Sequence, residues 1–271
     1  MKKILCPVDF SMSSEKVARY AAQLARDTSS KVVLVAIHEG KLAMAVGGTE
    51  EDKGDAIEML GEIHDLLKID YKISCGVEEK IISGDVSKKL AVAADHYDLT
   101  VLAAPGENSQ EEFQNFSGID LIKVIQTSLA PLLFVPEHFT YEKISRLTYA
   151  YNYEHEQQPP IDQLLWLASW FGAEVRVLSI LSDSSRKEER KFEKLQREID
   201  KQWKAGIKLS FETVAYKDVA ECLDHYADLW SENNLLMLSI NHQSLLQKLW
   251  HKSVVKELLR CAKRPYLILH K

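Results

Sequence analysis

Two kinds of residue in this chain could meet a small anionic ligand: an acid that closes an apolar run, and glycines ahead of a helical stretch. Asp9 ends the run in KKILCPVDFS, and Gly106 and Gly118 lie in AAPGENSQEEFQNFSGIDLIK (103–123). Glycine lets a backbone approach an anion, and a helix N-terminus adds free N–H groups and partial positive charge. In an open parallel sheet, ligands collect at the carboxyl ends of the strands, where the strand order reverses. The candidate positions are therefore Asp9, the neighbourhood of Ile37 at the end of a second apolar run, and the 103–123 loop. A plainer reading of Asp9 stands beside this one: a cap or turn residue after a strand. No GxSxG, HxxH, HExxH or GxxxxGK[ST] string occurs, so nucleophile-elbow, paired-histidine zinc and P-loop chemistry have no support. His242 and His251 flank a second loop, but no Cys or carboxylate joins them. A surface or packing role is the better account, and no metal or catalytic residue is expected.

The elements that must position these residues come twice. The run ending at Asp9 returns in SRLTYAYNYE, which ends at Asn152, an offset of 152 − 9 = 143. SSKVVLVAIH (29–38) returns as GAEVRVLSIL (172–181) at the same offset, LTVLAAPG (99–106) as LLMLSINH (235–242) at 136, and SLAPLLFV (128–135) as AKRPYLIL (262–269) at 134. Four pairs in one order mean a tandem duplication, which has to be settled before any fold is assigned. The second copy is shorter in its middle and has no glycine after Gly206.

Within the first copy, apolar runs at 3–8, 32–37, 72–77, 99–104 and 132–136 are too short for helices and read as strands buried on both faces. Between them lie helical stripes. Ser11 to Ser14 offer N-cap chemistry to a helix carrying Val17, Tyr20, Ala21, Leu24 and Ala25. Ile57, Leu60, Ile63 and Leu67 mark a second helix over 50–68, a third starts at Gly84-Asp85 and runs to about His96, and a fourth spans 117–128. Strands separated by helices pair in parallel through right-handed crossovers. In the second copy, Phe192, Leu195, Ile199 and Trp203 share one face of the charge-rich segment 185–204, so it reads as an amphipathic helix.

Composition limits the function classes. A chain of 271 residues suits two domains, with 46% hydrophobic and 27% charged residues. A net charge of −6 leaves no footprint for nucleic acid or for an anionic membrane. The five-residue run after MKK is too short for a secretory signal, and no run reaches the ~20 residues of a bilayer span. Cys6, Cys75, Cys222 and Cys261 form no CxxC pair. Cytoplasmic localisation with reduced thiols is expected.

The series KKILCPVDFS, SSKVVLVAIHE, DLTVLAAPG, a helix, then LAPLLFVP resembles the universal stress protein family in its tandem two-domain form, over the whole chain. The resemblance implies an α/β fold of two tandem Rossmann-like domains, about 1–138 and 144–271. Each would be a five-stranded parallel sheet sandwiched by helices, and the two would pack as an internal pseudo-dimer through LLFVP and YLILH. Some members bind ATP, with an Asp after the first strand near adenine. Their loop reads Gly, two residues, Gly, nine residues, Gly, then Ser or Thr on ribose and phosphates. Carried over, this points to Asp9, Ile37, Gly106 and Gly118 as nucleotide-binding residues, with ATP the cofactor in the N-terminal domain. This chain departs from that loop. Ala103 stands at the first glycine, eleven residues instead of nine separate Gly106 from Gly118, and Ile119 replaces the hydroxyl. Glu107, Glu111 and Glu112 add carboxylates, each repelling a triphosphate by about 1 kcal/mol per close pair even in bulk water. In the second copy, Asn152 replaces the acid, and Leu245, Leu246, Leu249 and Trp250 stand where glycines should be. The expected function is a non-catalytic stress-response protein that acts through a protein partner, as the internal pseudo-dimer or a homodimer of it. The alternative is an adenine-nucleotide-binding switch or weak ATPase using the N-terminal domain alone.

Overall fold

The apolar runs become strands because only pairing satisfies a backbone buried on both faces. The computed structural model describes residues 1–37, 50–82, 85–104, 119–151, 159–181, 186–203, 206–216, 222, 233–240, 259 and 263–271. The first half runs β1 (Lys3–Val8), α1 (Met12–Asp27), β2 (Lys31–Ile37), α2 (Glu50–Tyr71), β3 (Ser74–Ile82), α3 (Val86–Ala94), β4 (Leu99–Ala103), α4 (Leu121–Thr127) and β5 (Leu132–Val135). The second half runs β6 (Arg146–Tyr151), α5 (Ile161–Phe171), β7 (Glu174–Leu181), α6 (Arg186–Gln202), β8 (Leu209–Ala215), β9 (Asn234–Ile240) and β10 (Tyr266–His270).

All ten strands form one sheet in the order β3-β2-β1-β4-β5-β10-β9-β6-β7-β8. Every neighbouring pair is parallel except β5 and β10, which run antiparallel with Leu133 opposite Leu267 and Phe134 opposite Tyr266. The rings of Phe134 and Tyr266 stack at 5.2 Å between centroids. The halves thus join through their last strands, edge to edge, as one continuous sheet. This pairing removes the two apolar edges that LLFV and YLIL would otherwise expose. Each half reverses strand order beside its first strand, between β1 and β4 and between β6 and β9.

One face of the sheet is covered by α1, α2, α5 and α6, and the other, within the first half, by α3 and α4. The α1 stripe is buried as its spacing predicts. On α2 the inward register is Ala56, Leu60, Ile63 and Leu67, while Ile57 is exposed. The helix continues past Lys68 to Tyr71 and closes at Lys72, whose φ of 53° is left-handed and whose N–H donates to Lys68 O at 3.1 Å. That closure delays β3, which begins at Ser74 rather than 72 and extends to Ile82. Caps also shorten two other helices: Asp85 caps α3 and Asp120 caps α4.

Cys6 and Cys222 are buried and Cys75 is half-buried, all as free thiols. Burial pushes the Cys75 thiol up to about 11 and the Cys6 thiol higher still, so both are protonated and inert. Cys261 lies outside the described residues. Among the described residues no helix is long and apolar enough to cross a membrane.

Candidate functional site

At the β1–β4 switch point, the turn between β1 and α1 is built on Asp9. Its Oδ1 accepts from the Ser11 N–H at 3.1 Å and from the Ser11 hydroxyl at 2.6 Å. This is an Asx turn, in which a short acid stands in for a backbone acceptor two residues on. Between the two, Phe10 has φ 62°, a left-handed conformation that an aromatic residue adopts only where its surroundings impose it. Ser11 then caps α1, accepting from the Ser14 N–H at 3.1 Å. The spacing Asp-x-Ser ahead of a helical stripe was the sequence signal for this turn, and the plain reading of Asp9 as a turn residue describes what its Oδ1 does.

A shallow pocket opens above this turn. Asp9, Ser11, Ser13, Ser14, Ile37, Leu102, Ala103 and Ile119 are among its lining residues. Two of the residues expected at a site, Asp9 and Ile37, therefore meet in one place. Gly106 and Gly118, with Glu107, Glu111 and Glu112, lie outside the described residues. The enclosed volume is about 20 Å³, room for about one water. Among the described lining residues, Asp9 is the one charged side chain and the serines supply the hydroxyls. No group of three or more metal-ligating side chains occurs among the described residues.

Beyond the loop, the first cation is Lys123, and it is already engaged. Its Nζ donates to both oxygens of Asp85, at 2.9 and 2.8 Å. The Lys123 ammonium, followed by the Lys88 N–H, holds the Asp85 carboxyl below its ordinary value. Asp85 and Lys123 are 38 residues apart, so no local pattern pointed to this pair.

The corresponding place in the second half is built differently. At an offset of 143, Met12 of α1 corresponds to residue 155 (12 + 143), yet α5 starts six positions later, at Ile161. At 1.5 Å per residue, the helix end stands back by about 9 Å. Its cap is Pro160, which makes no side-chain cap hydrogen bond. The Pro159-Pro160 pair was the available sequence signal, because proline carries no N–H and fits only the start of a helix. Below, Tyr149 and Tyr151 occupy the positions of Cys6 and Val8, and the Tyr149 hydroxyl bonds that of Ser239 at 2.7 Å. Ser239 corresponds to Ala103 (103 + 136). Two buried rings thus stand where the first half has a thiol and a valine. Asn152, Leu245, Leu246, Leu249, Trp250, His242 and His251 lie outside the described residues.

Comparison with known proteins gives the following. The family profile described as the universal stress protein family matches residues 1–136. Among curated proteins, none matches the chain. A solved universal stress protein from Archaeoglobus fulgidus DSM 4304 superposes with a TM-score of 0.75 at 14% identity, covering 99% of this chain and 98% of that one. A Pseudomonas aeruginosa UCBPP-PA14 protein assigned to the universal stress type gives 0.59 at 13% identity, covering 100% and 93%. The cytoplasmic domain of a prokaryotic cation chloride cotransporter gives 0.54 at 10% identity, covering 98% and 94%. Identities this low speak for the fold alone.

Proposed function

This chain belongs to the universal stress protein family, and on that premise we propose that it is a non-catalytic stress-response protein that acts by binding a protein partner. The observation that carries this reading is the state of Asp9. Its Oδ1 is held by two donors from Ser11, so the carboxylate serves the fold before it serves a ligand. Drawing that oxygen onto a ligand forfeits bonds worth about 0.5–1.5 kcal/mol each. The cation nearest downstream of the loop is held by Asp85 as well, so a triphosphate gains little there. The second half, with its helix end set back and its strand ends filled by tyrosine, serves as structural partner to the first.

The other reading is an adenine-nucleotide-binding switch or weak ATPase confined to the N-terminal half. What favours it is that Asp9 and Ile37 line one pocket. Calorimetric titration with ATP, a phosphate-release assay and mass spectrometry of the purified protein separate the two. The partner reading expects Kd weaker than about 100 µM, or less than about 5.5 kcal/mol of binding, with no turnover and no co-purified nucleotide. Sub-micromolar affinity, or turnover abolished by Asp9→Asn, overturns it.

A further inference from the structure

Helix α1 carries the candidate pocket at one end and the join between the halves along its length. Ser13, Ser14 and Val17 of its first turns line the pocket. On the same helix Lys16 Nζ meets Glu137 Oε1 of the connecting segment at 3.2 Å. One turn further, the ring of Tyr20 stands edge-on to Tyr141 at 5.0 Å and tilted to Phe139 at 6.5 Å. At the last residue of α1, Asp27 Oδ2 accepts from the Tyr141 hydroxyl at 2.9 Å. Just past the helix, Ser30 Oγ accepts from Trp170 Nε1 of α5 at 2.9 Å. The segment 137–141 is therefore held along α1 from its second turn to its end, and the second half is fastened to the residue group that follows.

The other end of the helix is held in a turn that its own side chains impose. Phe10 keeps its left-handed φ between Asp9 and Ser11, whose two bonds close the turn and whose hydroxyl caps the helix. A turn held by one carboxylate has a defined release, which is loss of the Asp9 acceptor. We propose that α1 is a lever: the state of the Asp9 turn sets how firmly the connecting segment 137–141 is held against the helix. A packed helix moves as a unit between discrete arrangements, so a change at its first turn reaches contacts along its length. This coupling is a property of α1 and is independent of any nucleotide, so it stands or falls apart from the function proposed above.

Hydrogen exchange of the full chain, read by mass spectrometry in peptides spanning 11–15 and 137–143, tests it. Asp9→Ala is expected to speed exchange in both peptides by about tenfold, the size of effect expected for a lost cap. If Asp9→Ala does not fold, Ser11→Ala, which removes the hydroxyl bond and the cap but keeps the Ser11 N–H on Asp9, should give a smaller rise in both peptides. Ser128→Ala, which removes the Ser128 bond to Asp95, is expected to leave 137–143 unchanged. In a Lys16→Gln/Tyr141→Phe background, Asp9→Ala should no longer add to exchange at 137–143, the sign of a broken coupling. Faster exchange confined to 11–15 overturns the proposal, and so does an equal rise at 137–143 in Ser128→Ala.

Discussion

The β1–α1 turn and its counterpart after β6 began as the same design and now hold their helices by opposite means. In the first half, a carboxylate and a hydroxyl bring the helix end up to the switch point, at the cost of one left-handed aromatic residue. In the second, a proline pair starts the helix about six residues later and two buried tyrosines fill the space beneath. One end keeps polar groups facing a pocket; the other carries two buried rings where the first has a thiol and a valine. Where burial serves packing alone, large side chains are the better filling, because interiors are close-packed and voids destabilise. The difference shows that, in a duplicated fold, the strands and their order outlast the way their helices begin.

The largest effect is expected at the seam the halves share. Leu133→Ala, opposite Leu267 and fully buried, should cost about 2–5 kcal/mol and lower the stability of both halves together in one denaturant transition. Loss of the N-terminal half alone, with a separate second transition, would mean that the copies are energetically independent. Next, Ser11→Ala should cost about 1 kcal/mol as a lost cap, whereas Pro160→Ala, where no side-chain cap exists, should stay within about 0.5 kcal/mol. Equal costs in thermal or denaturant unfolding would erase the distinction between the turns.

A smaller effect concerns charge at the first-half loop. The triple change Glu107→Gln, Glu111→Gln, Glu112→Gln should tighten ATP several-fold at low ionic strength, and less at high salt, because about 10 Å of Debye screening at 0.1 M weakens exposed charges. Calorimetry at two salt concentrations checks it, and an unchanged affinity removes repulsion from the account. The smallest effect lies at the opposite, N-terminal ends of the strands. There β1 and β2 pair Lys3 with Lys31, while β6 and β7 pair Arg146 with Glu174. Lys208, at 2.7 Å, and Arg146 hold the Glu174 carboxyl below its ordinary value of 4.5. A depressed folded-state value means that the stabilisation is present above pH 4.5 and is lost as pH falls through the folded value. Glu174→Gln should therefore cost up to about 1 kcal/mol at pH 7, since the Lys208 side chain is exposed and its charge is screened. The gap from the unmodified protein should close towards pH 3; a gap that stays constant with pH would exclude the ionic contribution.

The duplication, the strand runs and the helical stripes were all legible in the sequence, because period and burial are local properties. Val17, Leu24, Leu60 and Leu67 announce their face by spacing alone. The pairing of the last strands was legible too, since an apolar edge strand is a liability that pairing removes. The family followed from the order of these elements. The sequence also placed Asp9 and Ile37 at strand ends, and an open parallel sheet brings such ends together. Other features depended on distance through space. The Asp9–Ser11 turn is local, but that Phe10 is held in the left-handed region depends on where α1 must dock. That Lys123 reaches Asp85, that Tyr149 reaches Ser239 and that Tyr141 reaches Asp27 are contacts across 38, 90 and 114 residues. No periodicity encodes them, because a side chain's partner is chosen by the packed surfaces around it. Residue types show which partners are possible, and only the tertiary structure selects which of them come within hydrogen-bonding reach.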